Sequence, residues 1–167
     1  RPKGSKTGSI IISDVHFNER VEKTDTNGMN EYNFDIAARR LKKLINDSKV
    51  YFLAKDITKI DLILLGDLFN SPRRKDELIR NKFATAEALM VANNIIIQLI
   101  NDLYKTFDKI EIHSVCGNES RIDEHINSVN FHDNWDFVFH YLLHSQFLDV
   151  NPDIIFHPMA REHHKLI

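Results

Sequence analysis

The chain has 167 residues, a formal net charge of −2 at pH 7 and a single cysteine, Cys116. That length suffices for one domain with a substantial core. The balanced charge excludes a global positive field for nucleic acid, leaving only a local basic patch. The lone thiol excludes an internal disulfide and points to a reducing, cytoplasmic setting. No apolar run approaches the roughly 20 residues needed to span a bilayer, so no membrane partner is expected.

Residues 1–8 lack the apolar core of a signal peptide and read as a flexible lead-in. Residues 9–167 read as one domain, incomplete at its C-terminus. Apolar runs rich in Ile, Leu and Val at 9–12, 61–65 and 110–115 are too short for helices and suit buried strands. A fourth strand is expected at Asp153–His157, closed by Pro158. Between the strands, Phe34, Ala37, Ala38, Leu41, Leu44 and Ile45 repeat at helical spacing. So do Ile79, Phe83, Ala86, Met90, Ile97 and Ile100, and then Trp135, Val138, Phe139, Leu142 and Leu143. Strands alternating with helices predict an α/β fold with a mainly parallel or mixed sheet flanked by helices. The polar loop from Asn18 to Glu31 is long for a strand-to-helix connection, and such loops are often functional.

Three polar clusters stand where strands should end: Ser13-Asp14-Val15-His16, Gly66-Asp67-Leu68-Phe69-Asn70 and Gly117-Asn118-Glu119-Ser120-Arg121. Ligands of open α/β sheets sit outside the carboxyl ends of strands, so the clusters are expected on one rim. Asp14 and His16 are one residue apart, and continued strand geometry would turn both to the same face. They would then share one metal ion. The two carboxylate oxygens of Asp67 can bridge two ions, and the Asn118 carbonyl can serve the second. Such mixed imidazole and oxygen ligands suit Mn, Fe, Zn or Mg. Two ions about 3.5–4 Å apart would clamp a phosphate and lower the pKa of a water.

The series Asp14-x-His16, Gly66-Asp67 and Gly117-Asn118 resembles the calcineurin-like metallophosphoesterase superfamily. That family's pattern is D-x-H, G-D, G-N-H-[DE], a lone His and then G-H-x-H. The resemblance covers the first three blocks, which is most of the chain. It implies a partial metallophosphoesterase-like α/β sandwich with two divalent ions, manganese foremost. It also implies that Asp14 and His16 hold one ion, Asp67 bridges and Asn118 holds the second. The substrate would be a phosphoester, DNA or RNA included. The Gly66-Asp67-Leu68-Phe69 stretch resembles the DNA-repair nuclease branch. Protein phosphatases carry Asp-Arg after this block, where this chain has Asn70 and Ser71.

Two departures qualify the pattern. Glu119 stands where the family has its proton-donating His, and no G-H-x-H block is present. Beside two cations a carboxylate stays ionised, so Glu119 marks either an altered mechanism or an inactivating replacement, natural or engineered. The impaired case would make the chain a binding or scaffolding module. Arg121 is expected to pair with a phosphate oxygen or to make a surface salt bridge. Arg73-Arg74-Lys75 forms a small basic run near the rim. Cys116 reads as a small buried residue and His113 as structural. His157 is a lesser site candidate, and His125, His132, His140, His144, His163 and His164 read as solvated.

Overall fold

The computed structural model of the chain describes residues 6–70, 75–122 and 131–159. Among these residues the sheet has four strands, β1 (Thr7–Ile12), β2 (Lys59–Leu64), β3 (Lys109–Ser114) and β4 (Ile154–Phe156). They lie in the order β1-β2-β3-β4, and every pairing is parallel. The α/β class is therefore as expected. β1 begins two residues ahead of the first apolar run, at Thr7.

The helices are α1 (Phe34–Leu53), α2 (Lys75–Arg80), α3 (Thr85–Tyr104) and α4 (Trp135–Phe147). Right-handed crossovers between strands laid in sequence order carry each connecting helix to the same face. Here α1 packs on α3 and α3 on α4, forming one layer over the sheet. Strand burial follows that asymmetry. Ile10, Ile12, Ile60, Leu62, Leu64, Ile110 and Ile112 are buried, whereas the alternating positions of each strand stay wholly or partly exposed. Parallel sheets usually have both faces covered, so the polar residues on this second face, Asp61, Lys109, Glu111 and His113, are what let it meet water. No helix among the described residues is long and apolar enough to cross a membrane.

Two of the helices start on asparagine caps. Asn33 accepts from Ile36 N at 3.0 Å, and Asn134 accepts from Asp136 N at 2.8 Å. The first apolar stripe is buried at Phe34, Ala37, Leu41 and Ile45, while Leu44 is partly exposed. The second stripe is corrected by the structure. The stretch is two helices, α2 and α3, and Ile79 and Met90 are exposed. The buried face of α3 runs through Ala88, Leu89, Ala92, Ile96, Ile100 and Leu103. The cause is Asn18, which bonds to both backbone groups of Phe83 at 2.8 and 2.9 Å and holds the chain out of helical geometry there. The long loop after β1 contains a turn of 3-10 helix, Lys23–Thr26, and returns to pair Val21 with Tyr32.

Candidate functional site

The loops that follow β1 and β2 are laced together by their main chains. Asp14 N donates to Gly66 O at 3.2 Å, His16 N to Asp67 O at 3.1 Å and Phe17 N to Leu68 O at 2.6 Å. Immediately below, Phe17, Leu68 and Phe69 are buried, and the Phe69 ring meets Phe139 edge-on at 5.0 Å. Burying each such side chain contributes about 1.5–3 kcal/mol, so the loops are anchored although they lie beyond the strands. The second and third loops approach more closely still. A Cβ at Gly66 would lie 2.4 Å from Gly117 N, and one at Gly117 would lie 2.1 Å from Asp67 N. Only glycine permits that approach. The three sequence clusters thus converge on one rim.

The route to that convergence differs from the sequence reading. Strand geometry does not continue through the first cluster. β1 ends at Ile12, and Asp14 and His16 have φ of 52° and 49°. Asp67 has φ of 50°. Left-handed backbone at a non-glycine residue costs of order 1 kcal/mol or more, and such conformations gather at functional sites. Asp14 is exposed, and its carboxylate accepts from Ser13 Oγ. His16 is half-buried, and its Nδ1 lies 2.6 Å from Asn70 Oδ1. A carboxamide oxygen only accepts, so Nδ1 carries the hydrogen and Nε2 is the nitrogen left to face a metal. This is the usual orientation of a metal-binding imidazole.

Asp67 Oδ1 accepts from Glu119 N at 2.6 Å. Glu119 Oε1 accepts from Asn118 Nδ2, also at 2.6 Å, which directs the amide nitrogen of Asn118 toward Glu119. Arg121 donates from Nη1 to Asn118 O at 3.0 Å. Aspartate, imidazole and amide oxygen donors on one rim fit hard or borderline divalent ions. Asp14, His16 and Asp67 do not draw together as a set within 4.8 Å. Among the described residues one trio does so, namely Glu111, His113 and His157 on the open face of the sheet.

Sequence reasoning missed the residue that organises this rim. Asp136, in the first turn of α4, is 1% exposed. Its Oδ1 accepts from Leu68 N at 3.2 Å and its Oδ2 from Gly117 N at 2.9 Å, joining the second and third loops. Burial pushes its carboxyl up to about 6, against the pull of hydrogen bonds from Gly117, Ser120 and Leu68, and the charge of Asp67 adds to the rise. Asn134 reinforces the joint by donating to Gly117 O at 2.9 Å. Ser120 Oγ lies 3.1 Å from both Phe69 N and Phe69 O. The capping signal of Asn134 was readable, but nothing in the sequence marks Asp136 as different from any acidic first-turn residue.

Beside Asp14 and His16 opens a cleft of about 350 Å³, also lined by Glu19, Asn30, Tyr32 and Arg40. The Arg40 guanidinium lies 5.6 Å from the Tyr32 ring centre, and Tyr32 OH donates to Val15 O. Burial raises the Tyr32 hydroxyl to about 12, so it stays protonated and holds the loop. Cys116 is partly buried with Sγ 3.3 Å from Met159 Sδ. Burial, with the charge of Asp136, raises its thiol to about 12, which keeps it protonated at neutral pH. His140 is buried rather than solvated, bonded through Nδ1 to Ser114 Oγ at 2.9 Å. Arg73, Arg74, His125, His163 and His164 lie outside the described residues.

No protein-family model, curated protein or solved structure matches the chain.

Proposed function

We propose that the chain is a metal-dependent phosphoester hydrolase working at the carboxyl rim of the sheet. The observation that carries this reading is the convergence of the three clusters, with Asp14, His16 and Asp67 all in left-handed backbone. In this reading Asp14 and His16 hold one divalent ion, Asp67 bridges to a second and Asn118 supports the second, manganese being the expected metal. Divalent ions at such a site would neutralise phosphate oxygens and acidify water. The protein's own contribution is positional. Asn70 sets the His16 tautomer, Glu119 N fixes one Asp67 oxygen, and the Glu119 carboxylate orients Asn118. Glu119 is thereby a positioning residue rather than the proton donor. Arg40 in the adjoining cleft supplies a cation for a further phosphate or a nucleotide moiety. The lean toward phosphodiesters, DNA or RNA among them, over monoesters rests on the Gly66-Asp67-Leu68-Phe69 resemblance alone.

The carboxylate at Glu119 favours a second reading, a catalytically impaired member of the same fold that binds or scaffolds. Hydrolysis of a bis-aryl phosphodiester, single-stranded DNA and an aryl phosphomonoester with Mn²⁺ separates the two. The hydrolase reading expects turnover that Asp67→Asn lowers on the order of 100-fold or more. Asn at this position keeps an oxygen for Glu119 N, so loss of rate would not reflect loss of that bond. Absence of turnover on all three substrates, with Mn²⁺, Fe²⁺, Zn²⁺ or Mg²⁺, would leave the scaffold reading standing.

A further inference from the structure

We propose that Glu111, His113 and His157 form a second metal site, for one borderline divalent transition-metal ion such as Zn²⁺, on the sheet face opposite the helices. Glu111 and His113 are two apart on β3 and therefore share a face. His157 follows β4, the neighbouring strand, and its N–H donates to Ile112 O at 3.0 Å. Regular main-chain pairing thus places all three donors, with none of the left-handed backbone found at the rim.

The side chains are already gathered. One ligand atom from each lies within 4.8 Å of the other two. Neighbouring ligands of a tetrahedral ion with bonds of about 2.0–2.1 Å stand about 3.4 Å apart, so closure requires side-chain rotation and no main-chain shift. The His113 and His157 rings stack at 4.3 Å and 8°. His157 Nε2 lies 2.8 Å from Glu111 Oε2, and an ion would insert between these two atoms. Lys109 Nζ holds the other carboxylate oxygen, Oε1, at 2.6 Å. Lys109 is then an outer partner that orients the ligand, because it leaves Oε2 for the metal. Asp61 Oδ1 stands 4.0 Å from His113 Nε2, beyond hydrogen-bond reach, and adds negative charge beside the trio.

Two imidazoles and one carboxylate select borderline transition ions over Mg²⁺ or Ca²⁺. The three side chains are 22–39% exposed, so the site is reachable and its fourth position is open to water. The ion would join β3 to β4, which is held by three registered pairs and ends the sheet among the described residues. Its natural role is therefore a pin on the strand with the fewest registered pairs among the described residues.

The test is titration of the 167-residue chain with ZnCl₂, followed by calorimetry and by the ¹⁵N resonances of the histidine rings. The expected result is one equivalent that shifts the His113 and His157 rings and persists in Asp67→Asn, with neither ring moved by the same concentration of Mg²⁺. His113→Gln should weaken Zn²⁺ at this site on the order of 100-fold, and Asp67→Asn should leave it unchanged. The ring resonances are read on the unsubstituted chain, so a poorly folded variant would not obscure the answer. Unmoved His113 and His157 rings would overturn the proposal. So would Zn²⁺ binding that Asp67→Asn abolishes and His113→Gln spares, since the ion would then sit at the rim.

Discussion

Replacing Gly117 by alanine tests whether the rim is as tightly joined as the geometry indicates. The new Cβ would lie 2.1 Å from Asp67 N, 2.1 Å from Asp67 Oδ1 and 2.6 Å from Asp67 Cγ. The side-chain oxygen can rotate away, but the peptide nitrogen cannot. The main chain around Asp67 is held by His16 N on its carbonyl and by Asp136 Oδ1 on the next N–H. One loop must retreat by about 1 Å to reach ordinary contact, which places the cost near the top of the overpacking range, about 3 kcal/mol. Retreat also weakens the bond from Glu119 N to the Asp67 carboxylate, worth about 1.5 kcal/mol or more for a charged acceptor. Gly28 is the control. It has φ of +81° and nothing within 4 Å of a built Cβ, so Gly28→Ala should cost only the left-handed backbone, about 1 kcal/mol. Urea unfolding followed by Trp135, the single tryptophan, should place the Gly117→Ala midpoint well below that of Gly28→Ala with equal slopes. In melting temperature the expected losses are about 6–18 °C against about 2–4 °C. Equal losses in the two variants would refute the close joint between the second and third loops.

Asp136→Asn should change how stability responds to pH. Because burial lifts the folded value from 3.8 to about 6, the folded state takes up the proton first as pH falls. Wild-type stability relative to Asp136→Asn should therefore decline by about 3 kcal/mol from pH 4 to pH 6 and stay level above. A difference independent of pH, measured by urea unfolding across that range, contradicts the assignment. His140→Asn should act with the opposite sign. Burial, then the charge of His144, pushes His140 from 6.5 down to about 4, so the folded state holds it neutral. The stability due to neutral His140 should be complete above pH 6.5 and fall by about 3 kcal/mol as pH drops to about 4. Asn keeps an acceptor for Ser114 Oγ and does not titrate, so its profile should lack that loss. An identical profile would place the proton elsewhere.

The strands were legible because runs such as Ile10-Ile11-Ile12 and Leu62-Ile63-Leu64 have few other uses, and the βα alternation then placed their carboxyl ends together. What stayed hidden depends on contacts between residues far apart in sequence. Nothing local says that Asn18 will take both backbone groups of Phe83, yet that pairing ends one helix and shifts the stripe of the next. Nor does Asp136 announce that it will bind Leu68 N and Gly117 N, 68 and 19 residues away. Asp14 and His16 illustrate a different limit. Their proximity was inferred from strand alternation, whereas they reach the rim through left-handed backbone that only the neighbouring loop enforces. The sequence alone makes His113 look structural because it lies inside a strand. A strand in a sheet with one open face presents every second residue to solvent, and His113 is one of these.

The two candidate metal sites are built on opposite principles, and this makes them separable. At the rim, donors come from irregular loops whose positions depend on buried phenylalanines, close glycine contacts and the carboxylate of Asp136. A disturbance to any of these moves several donors at once. On the open face, Glu111 and His113 come from a regular strand whose register is set by six paired residues on β2. The lining of each site excludes the other's residues, and the rim clusters follow the strands whereas Glu111 and His113 lie within one. Substitutions that share no partners contribute additively. Loss of Asp67 and loss of His113 should therefore act independently on metal binding, and an energetic coupling between them would mean that the loops after β2 and β3 transmit strain into the sheet.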